Sequence, residues 1–286
     1  MNGRFAPSPT GTLHLGNLRT ALLAWLFARS ASSAFLVRME DLDSGRVRPG
    51  SAEEQLADLA AIGLDWDGDV VFQSARTERY AAALERLDVY ECYCSRAEIR
   101  AAVSAPHGPQ GAYPGTCLRL TAAERAERRA AGREPALRVR AGGALVAFED
   151  RLHGRQEGTV DDFVVRRADG AFAYNLAVVV DDAEQGVEEV VRGDDLLDST
   201  PRQLFLTRAL SLPEPAYAHV PLVLGSDGAR LAKRHGAVTL RELPAEAARA
   251  WMLRSLGLPE RATPRELAAG LDPAALPRTA TRFAVP

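Results

Sequence analysis

Residues 6–27, APSPTGTLHLGNLRTALLAWLF, constrain the fold more tightly than any other stretch of the chain. Gly3–Phe5, just before them, reads as a short strand; Pro7 and Pro9 then stop any regular element, and Gly11 permits a tight turn. Apolar residues recur at 15, 18, 22, 25 and 26, with Arg19 and Arg29 in the same run, which is helical spacing with one buried face. A strand, an irregular loop and a helix start, in that order, form the geometry in which free backbone N–H groups and the helix dipole attract phosphate. Gly16 lets a ligand approach the backbone, and His14 and Asn17 add side-chain donors. On spacing alone, an N-terminal loop with an incidental histidine fits equally well.

Composition narrows the classes. A chain of 286 residues accommodates one large domain, or a core with an insertion, at the usual ~100–200 residues per domain. With 47% hydrophobic and 26% charged residues it has globular usage, not that of a disordered tail. A net charge of −3 excludes a globally basic nucleic-acid binder, although an arginine-rich face can sit on a neutral protein. The first residues lack the apolar core of a signal peptide, and no uncharged apolar run is long enough to span a membrane. Three cysteines, an odd number, argue against a disulfide scaffold. These features predict a soluble cytoplasmic protein.

Two further stretches predict a binding cleft. AFLVRMEDLD (34–43) reads as a buried strand ending in acidic residues, with Glu40 at its carboxyl end. Residues 171–203 give another apolar run, a turn at Gln185-Gly186, and then VVRGDDLL. Ligands in open α/β sheets bind beyond the carboxyl ends of strands, which is where Glu40, Arg192 and Asp194 fall. Tyr174 reads on its own as a packed aromatic, whereas Arg192, trailing an apolar strand, is harder to explain as structure.

RFAPSPTGTLHLGNLRTAL resembles the start of a class I aminoacyl-tRNA synthetase of the glutamyl type, with HLGN as its HIGH signature. Asn17 stands where that signature often ends in histidine; asparagine keeps a donor but carries no charge. Far downstream, ARLAKRHG (229–236) resembles the KMSKS loop in its glutamyl form, with Arg230 in the earlier basic position and Ala232 replacing the usual serine. The resemblance implies an α/β, Rossmann-like nucleotide-binding core. It implies that His14, Gly16, Asn17 and Lys233 hold ATP, that Lys233 meets the triphosphate, and that His14, Asn17 and Lys233 carry the catalysis. It also implies a glutamate pocket in which Arg4, Ala6 and Ser8 form one wall, Glu40 takes the ammonium, and Tyr174 and Arg192 close the site. A substrate side-chain carboxylate calls for a bidentate cation, which the planar fork of arginine supplies. The implied reaction is in-line attack of a carboxylate on the α-phosphate of ATP, with Mg2+ accompanying the nucleotide and no protein nucleophile.

All three cysteines fall in ECYC (91–94) and YPGTC (113–117). Cys-x-Cys followed by a third cysteine reads as a zinc site lacking its fourth ligand, with His107 and Tyr113 as candidates. Imidazole is the commoner ligand, and three simply buried thiols are the plain alternative. One branch of the resembled family shows Cys-x-Cys followed by Tyr-x-x-x-Cys, and that resemblance implies Cys92, Cys94, Tyr113 and Cys117 as the set. Such zinc would be structural, pinning an insertion too small for a core of its own.

The expected organisation is a first half of the catalytic domain at 1–87, a zinc-binding insertion at 88–135, a second half with the KMSKS-like loop at 136–236, and a short helical C-terminal segment with a tail at 237–286. The insertion ends in TAAERAERRAAGREP, a charged helix whose arginines form a solvated face or touch RNA. LRELPAEAARAWMLRSLGLP (240–259) predicts one or two amphipathic helices, and the tail from Arg261 is weakly patterned and expected to be partly disordered. A full glutamyl synthetase continues past its KMSKS-like loop into a large anticodon-binding region, whereas residues 237–286 leave no room for one. The resemblance therefore falls on the branch that passes glutamate to the queuosine base at the wobble position of tRNA(Asp). Two alternatives stand beside it: a truncated enzyme charging tRNA(Glu) at its 3′ end, and a non-catalytic paralogue that binds an amino acid or RNA.

Overall fold

The computed structural model describes residues 2–95, 97–99, 113–231, 235–236 and 238–283. The first half runs β1 (Gly3–Phe5), α1 (Leu15–Ser30), β2 (Phe35–Met39), α2 (Ser51–Ala61), β3 (Val71–Phe72) and α3 (Thr77–Glu85). β1, β2 and β3 pair in parallel in that order. Phe35, Val37 and Met39 are buried on one face of β2 and Arg38 on the other, so the strand is covered on both faces.

Next come β4 (Val89–Cys92), α4 (Ala122–Ala130), β5 (Ala136–Val139), β6 (Ala144–Asp150), β7 (Gly154–Val160) and β8 (Val164–Arg166). β4, β5 and β8 form a small antiparallel sheet in that order, with Cys92 opposite Ala136 and Tyr90 opposite Arg138. The charged helix α4 opens with a capping box between Thr121 and Glu124 and buries none of its residues.

The main sheet is completed by α5 (Tyr174–Glu184), β9 (Glu189–Gly193), α6 (Thr200–Ala209) and β10 (Ala216–Val220). β10 pairs in parallel with both β9 and β6, and β7 closes that edge as an antiparallel hairpin partner of β6. Asn2 bridges Val187 in parallel, and its carbonyl accepts the Glu188 N–H at 2.9 Å, so β9 continues from the free side of β1. The parallel order β3-β2-β1-β9-β10-β6 reverses direction between β1 and β9, which is the switch point where doubly wound sheets bind ligands. The apolar run after Ala173 is helical: α5 buries Leu176 through Asp182, and a helix covered on most sides has no polar face to mark its period.

α1 departs from the expected single buried face. Leu15, Leu18, Leu22, Leu23, Trp25 and Leu26 are all buried, and so is Arg19. Its other side is covered by the C-terminal segment, α7 (Ala245–Ser255) and α8 (Pro264–Ala268), in one shared core. Arg19 is tolerated there because its guanidinium donates to the Pro221 carbonyl at 2.5 Å, to Thr281 at 2.9 Å and to Ser255 at 3.3 Å.

The expectation of a partly disordered tail is corrected for its described residues. β11 (Val223–Leu224) pairs in parallel with β12 (Thr281–Arg282), and Phe283 packs edge-on against Trp251 with ring centroids 5.1 Å apart. The tail is held by widely spaced anchors, Leu276 and Phe283, instead of by a periodic face, which is why no period announces it.

Candidate functional site

A cleft of about 760 Å³ opens at the carboxyl ends of β1, β2 and β9. Arg4, Ala6, Ser8, Glu40, Tyr174 and Arg192 line it together. His14, Gly16 and Asn17 line it as well, at the start of α1. Lys233 lies outside the described residues, as do Ala232 and His107. Asp195, not Asp194, faces the cleft from the turn after β9, and its carboxylate pairs with Arg230 at 2.5 Å.

His14 is the N-cap of α1. Its Nδ1 accepts the Asn17 backbone N–H at 3.2 Å, and the Asn17 side-chain oxygen accepts the His14 N–H at 3.3 Å. This reciprocal pair is a capping box built from histidine and asparagine, so both residues have a structural role that leaves donors over. With Nδ1 accepting, the ring proton sits on Nε2. Burial, reinforced by the positive charge of Arg230, lowers the His14 pKa to about 4, so the imidazole is neutral at pH 7. Gly16 has a reason the sequence did not disclose: a Cβ there would lie 3.0 Å from two atoms of the His14 ring and 3.4 Å from Val223. The loop ahead of the cap is fixed by Gln55, whose side-chain amide donates to the carbonyls of Ser8 at 3.1 Å and Gly11 at 2.6 Å.

The amino-acid side of the cleft is a charge network. Asp182, near the end of α5, accepts Arg4 Nε at 3.2 Å and Arg38 Nη1 at 2.8 Å. Burial would raise the Asp182 pKa, but the two arginines hold it below the usual carboxylate value. Arg38 also reaches Glu40 at 3.4 Å. For Glu40 burial wins, and its pKa is raised despite Arg38 and Arg4. Arg76, Gln73 and Tyr80 converge on the fully buried Asp181 next door, at 2.6, 2.8 and 2.8 Å.

Arg192 is held differently. Its Nε donates to His219 Nε2 at 3.0 Å, Nη1 to Gln203 at 2.7 Å and Nη2 to Thr200 at 2.8 Å, and the guanidinium lies over the Tyr217 ring. All three partners are neutral, and among the described residues no carboxylate pairs with this guanidinium, which is only 5% exposed. An unpaired buried charge is costly unless a ligand completes it. Sequence reasoning missed the partners. His219 and Asp150 sit in strands distant along the chain, and nothing in AYAHV or AFED says that they meet.

The cysteine cluster lies apart from the cleft. The three thiol sulfurs fall within 4.8 Å of one another. The Tyr113 hydroxyl lies 3.3 Å from Cys92 Sγ and 3.7 Å from Cys94 Sγ, and accepts the Cys117 N–H at 2.9 Å. Three sulfurs and one oxygen converging in a largely buried pocket fit a closed tetrahedral zinc site. Arg138 lies 3.7 Å over the Tyr113 ring, a cation–π contact from the adjoining strand β5.

The family model for the catalytic domain of class I tRNA synthetases (E and Q) matches residues 1–253. The glutamyl-Q tRNA(Asp) synthetase of Nocardia farcinica is 64% identical over 285 residues, covering 96% of this chain and 91% of the relative. That of Symbiobacterium thermophilum is 52% identical over 307 residues, covering 98% and 95%. Among solved structures, a glutamate tRNA ligase from Elizabethkingia meningosepticum, in complex with its amino acid, superposes with a TM-score of 0.85 at 26% identity. That superposition covers 99% of this chain and 67% of the ligase.

Proposed function

The chain belongs to the class I tRNA synthetases of the glutamate and glutamine type, and from that premise we infer that its cleft activates L-glutamate with ATP and transfers it to queuosine at the wobble position of tRNA(Asp). It is an aminoacyl-tRNA synthetase-like ligase, working in the cytoplasm on ATP, glutamate and tRNA.

The observation that carries the reading is the Arg192 guanidinium, buried among neutral partners at the floor of a cleft. Three of its five N–H groups are used, which leaves one on each terminal nitrogen. Two parallel donors on a planar fork match a carboxylate, here the side chain of glutamate. Glu40, which lines the same cleft, takes the α-ammonium, with Arg4, Ala6, Ser8 and Tyr174 completing the pocket.

On the nucleotide side, the neutral His14 offers its Nε2–H and Asn17 its side-chain amide N–H groups, at the N-terminal end of α1 where the helix dipole favours phosphate. Lys233 is assigned the triphosphate. ATP arrives with Mg2+, which neutralises phosphate charge. An oxygen of the glutamate α-carboxylate attacks the α-phosphorus as the bond to the bridging oxygen of pyrophosphate breaks, giving glutamyl-adenylate. A hydroxyl of the queuosine cyclopentenediol then attacks the acyl carbon, loses its proton, and AMP leaves. The diol presents vicinal hydroxyls much as a terminal ribose does, so the same cleft serves. Positioning and charge stabilisation account for the rate, with no covalent enzyme intermediate. Cys92, Cys94, Tyr113 and Cys117 would hold a structural zinc that braces the insertion.

The test is glutamate-dependent ATP–pyrophosphate exchange without tRNA. Arg192→Ala should lower kcat/KM for glutamate by about two orders of magnitude, the cost of removing one partner of a buried hydrogen-bonded charge pair. Exchange at the wild-type rate in that variant would remove Arg192 from the site.

A further inference from the structure

Behind Arg192 lies a buried chain that the activation chemistry does not use. Asp150, at the end of β6, and His219, in β10, are 3% and 0% exposed. The Asp150 Oδ2 lies 2.6 Å from His219 Nδ1, and His219 Nε2 lies 3.0 Å from Arg192 Nε, with Thr200 Oγ1 3.1 Å away. Arginine nitrogens only donate, so His219 Nε2 must accept, and the ring proton must sit on Nδ1 facing the carboxylate. Asp150 is anchored in turn by the backbone N–H groups of Leu152 at 2.9 Å, His153 at 3.0 Å and His219 at 3.1 Å.

We propose that Asp150 and His219 are positioning residues for glutamate recognition: the aspartate fixes the histidine tautomer, and the histidine then holds the Nε edge of Arg192 with a neutral acceptor. This rests on the reading of Arg192 as the residue that takes the substrate side chain. A carboxylate in the place of His219 would hold the guanidinium as firmly, but it would neutralise the charge that the substrate has to meet. A histidine backed by an aspartate separates the two tasks. It orients the fork by its Nε edge, leaves both terminal nitrogens an N–H for the ligand, and keeps the anionic group one residue away.

Asp150→Asn tests this with almost no change of shape. An asparagine amide facing Nδ1 donates, so His219 must carry its proton on Nε2 and confront the Arg192 Nε–H donor to donor. The KM for glutamate in pyrophosphate exchange should rise at least ~tenfold while the KM for ATP stays within ~twofold, the loss expected of one buried charge-assisted hydrogen bond. Two-bond 1H–15N spectra should report His219 as the Nε2–H form in the variant and the Nδ1–H form in the wild type. The Asp150→Asn/His219→Gln pair restores a neutral acceptor that needs no tautomer, and should bring the glutamate KM back to within ~threefold of the wild type. An unchanged tautomer, an equal rise in both KM values, or no recovery in the pair would overturn the proposal. Should Asp150→Asn not fold, His219→Gln against His219→Leu decides it: the proposal expects the leucine variant alone to lose glutamate affinity, and equal behaviour refutes it. A wild-type protein with no glutamate-dependent exchange would refute the reading of Arg192 instead, while the spectra still report the histidine tautomer.

Discussion

His14 illustrates how one residue serves fold and chemistry together. As the cap of α1 it closes a reciprocal pair with Asn17, and as a neutral donor it faces the cleft. Its folded pKa of about 4 lies below the ordinary histidine value of 6.5. Between those values the unfolded chain binds a proton that the folded protein refuses, so histidine at this position lowers stability as pH falls from 6.5 towards 4. Above 6.5 both states are neutral and the effect vanishes. His14→Asn keeps a capping side chain without the titration. The melting-temperature advantage of the wild type over this variant should therefore shrink as pH drops through that window, as thermal unfolding at several pH values would measure. A constant difference would mean that His14 is not buried as described.

At the scale of elements, the cysteine insertion gives the sharpest expectation. The purified protein should contain about one zinc per chain, by the four-ligand rule. Cys94→Ser should release the metal, Tyr113→Phe should weaken its retention against a chelator, and His107→Ala should leave it in place. A His107→Ala protein without zinc would show that imidazole, not phenol, completes the set. The cysteine spacing was legible as a cluster, and the three thiols do lie within 4.8 Å of one another. Gly3–Phe5 and the helix from Leu15 were legible too, since prolines, glycine and an apolar period each act locally. The helical nature of α5 was not legible, since a run of Val178, Val179 and Val180 covered on all sides carries no period. The Asp150–His219–Arg192 chain was not legible either. It is made by β6, β9 and β10 lying side by side, and adjacency across a parallel sheet is set by topology, not by local sequence.

At the scale of the whole molecule, the cleft exists because residues from both halves of the chain meet at the switch point between β1 and β9, and α1 spans that junction. The C-terminal segment covers the other side of α1 and ties it to β11 through β12. Phe283→Ala, which empties the contact with Trp251, should cost about 3 kcal/mol of unfolding free energy in a denaturant titration. A change under ~0.5 kcal/mol, the range of ordinary surface substitutions, would show that the tail does not brace the core.

Delivery of glutamate to an anticodon base is the reaction proposed for this core. The direct measurement is the nucleotide to which labelled glutamate becomes attached. On tRNA(Asp) from queuosine-making cells, label should appear in the anticodon loop and persist after removal of the 3′-terminal adenosine, while the same tRNA from cells unable to make queuosine should take up none. Glutamate found instead on the 3′ end of tRNA(Glu) would contradict the account.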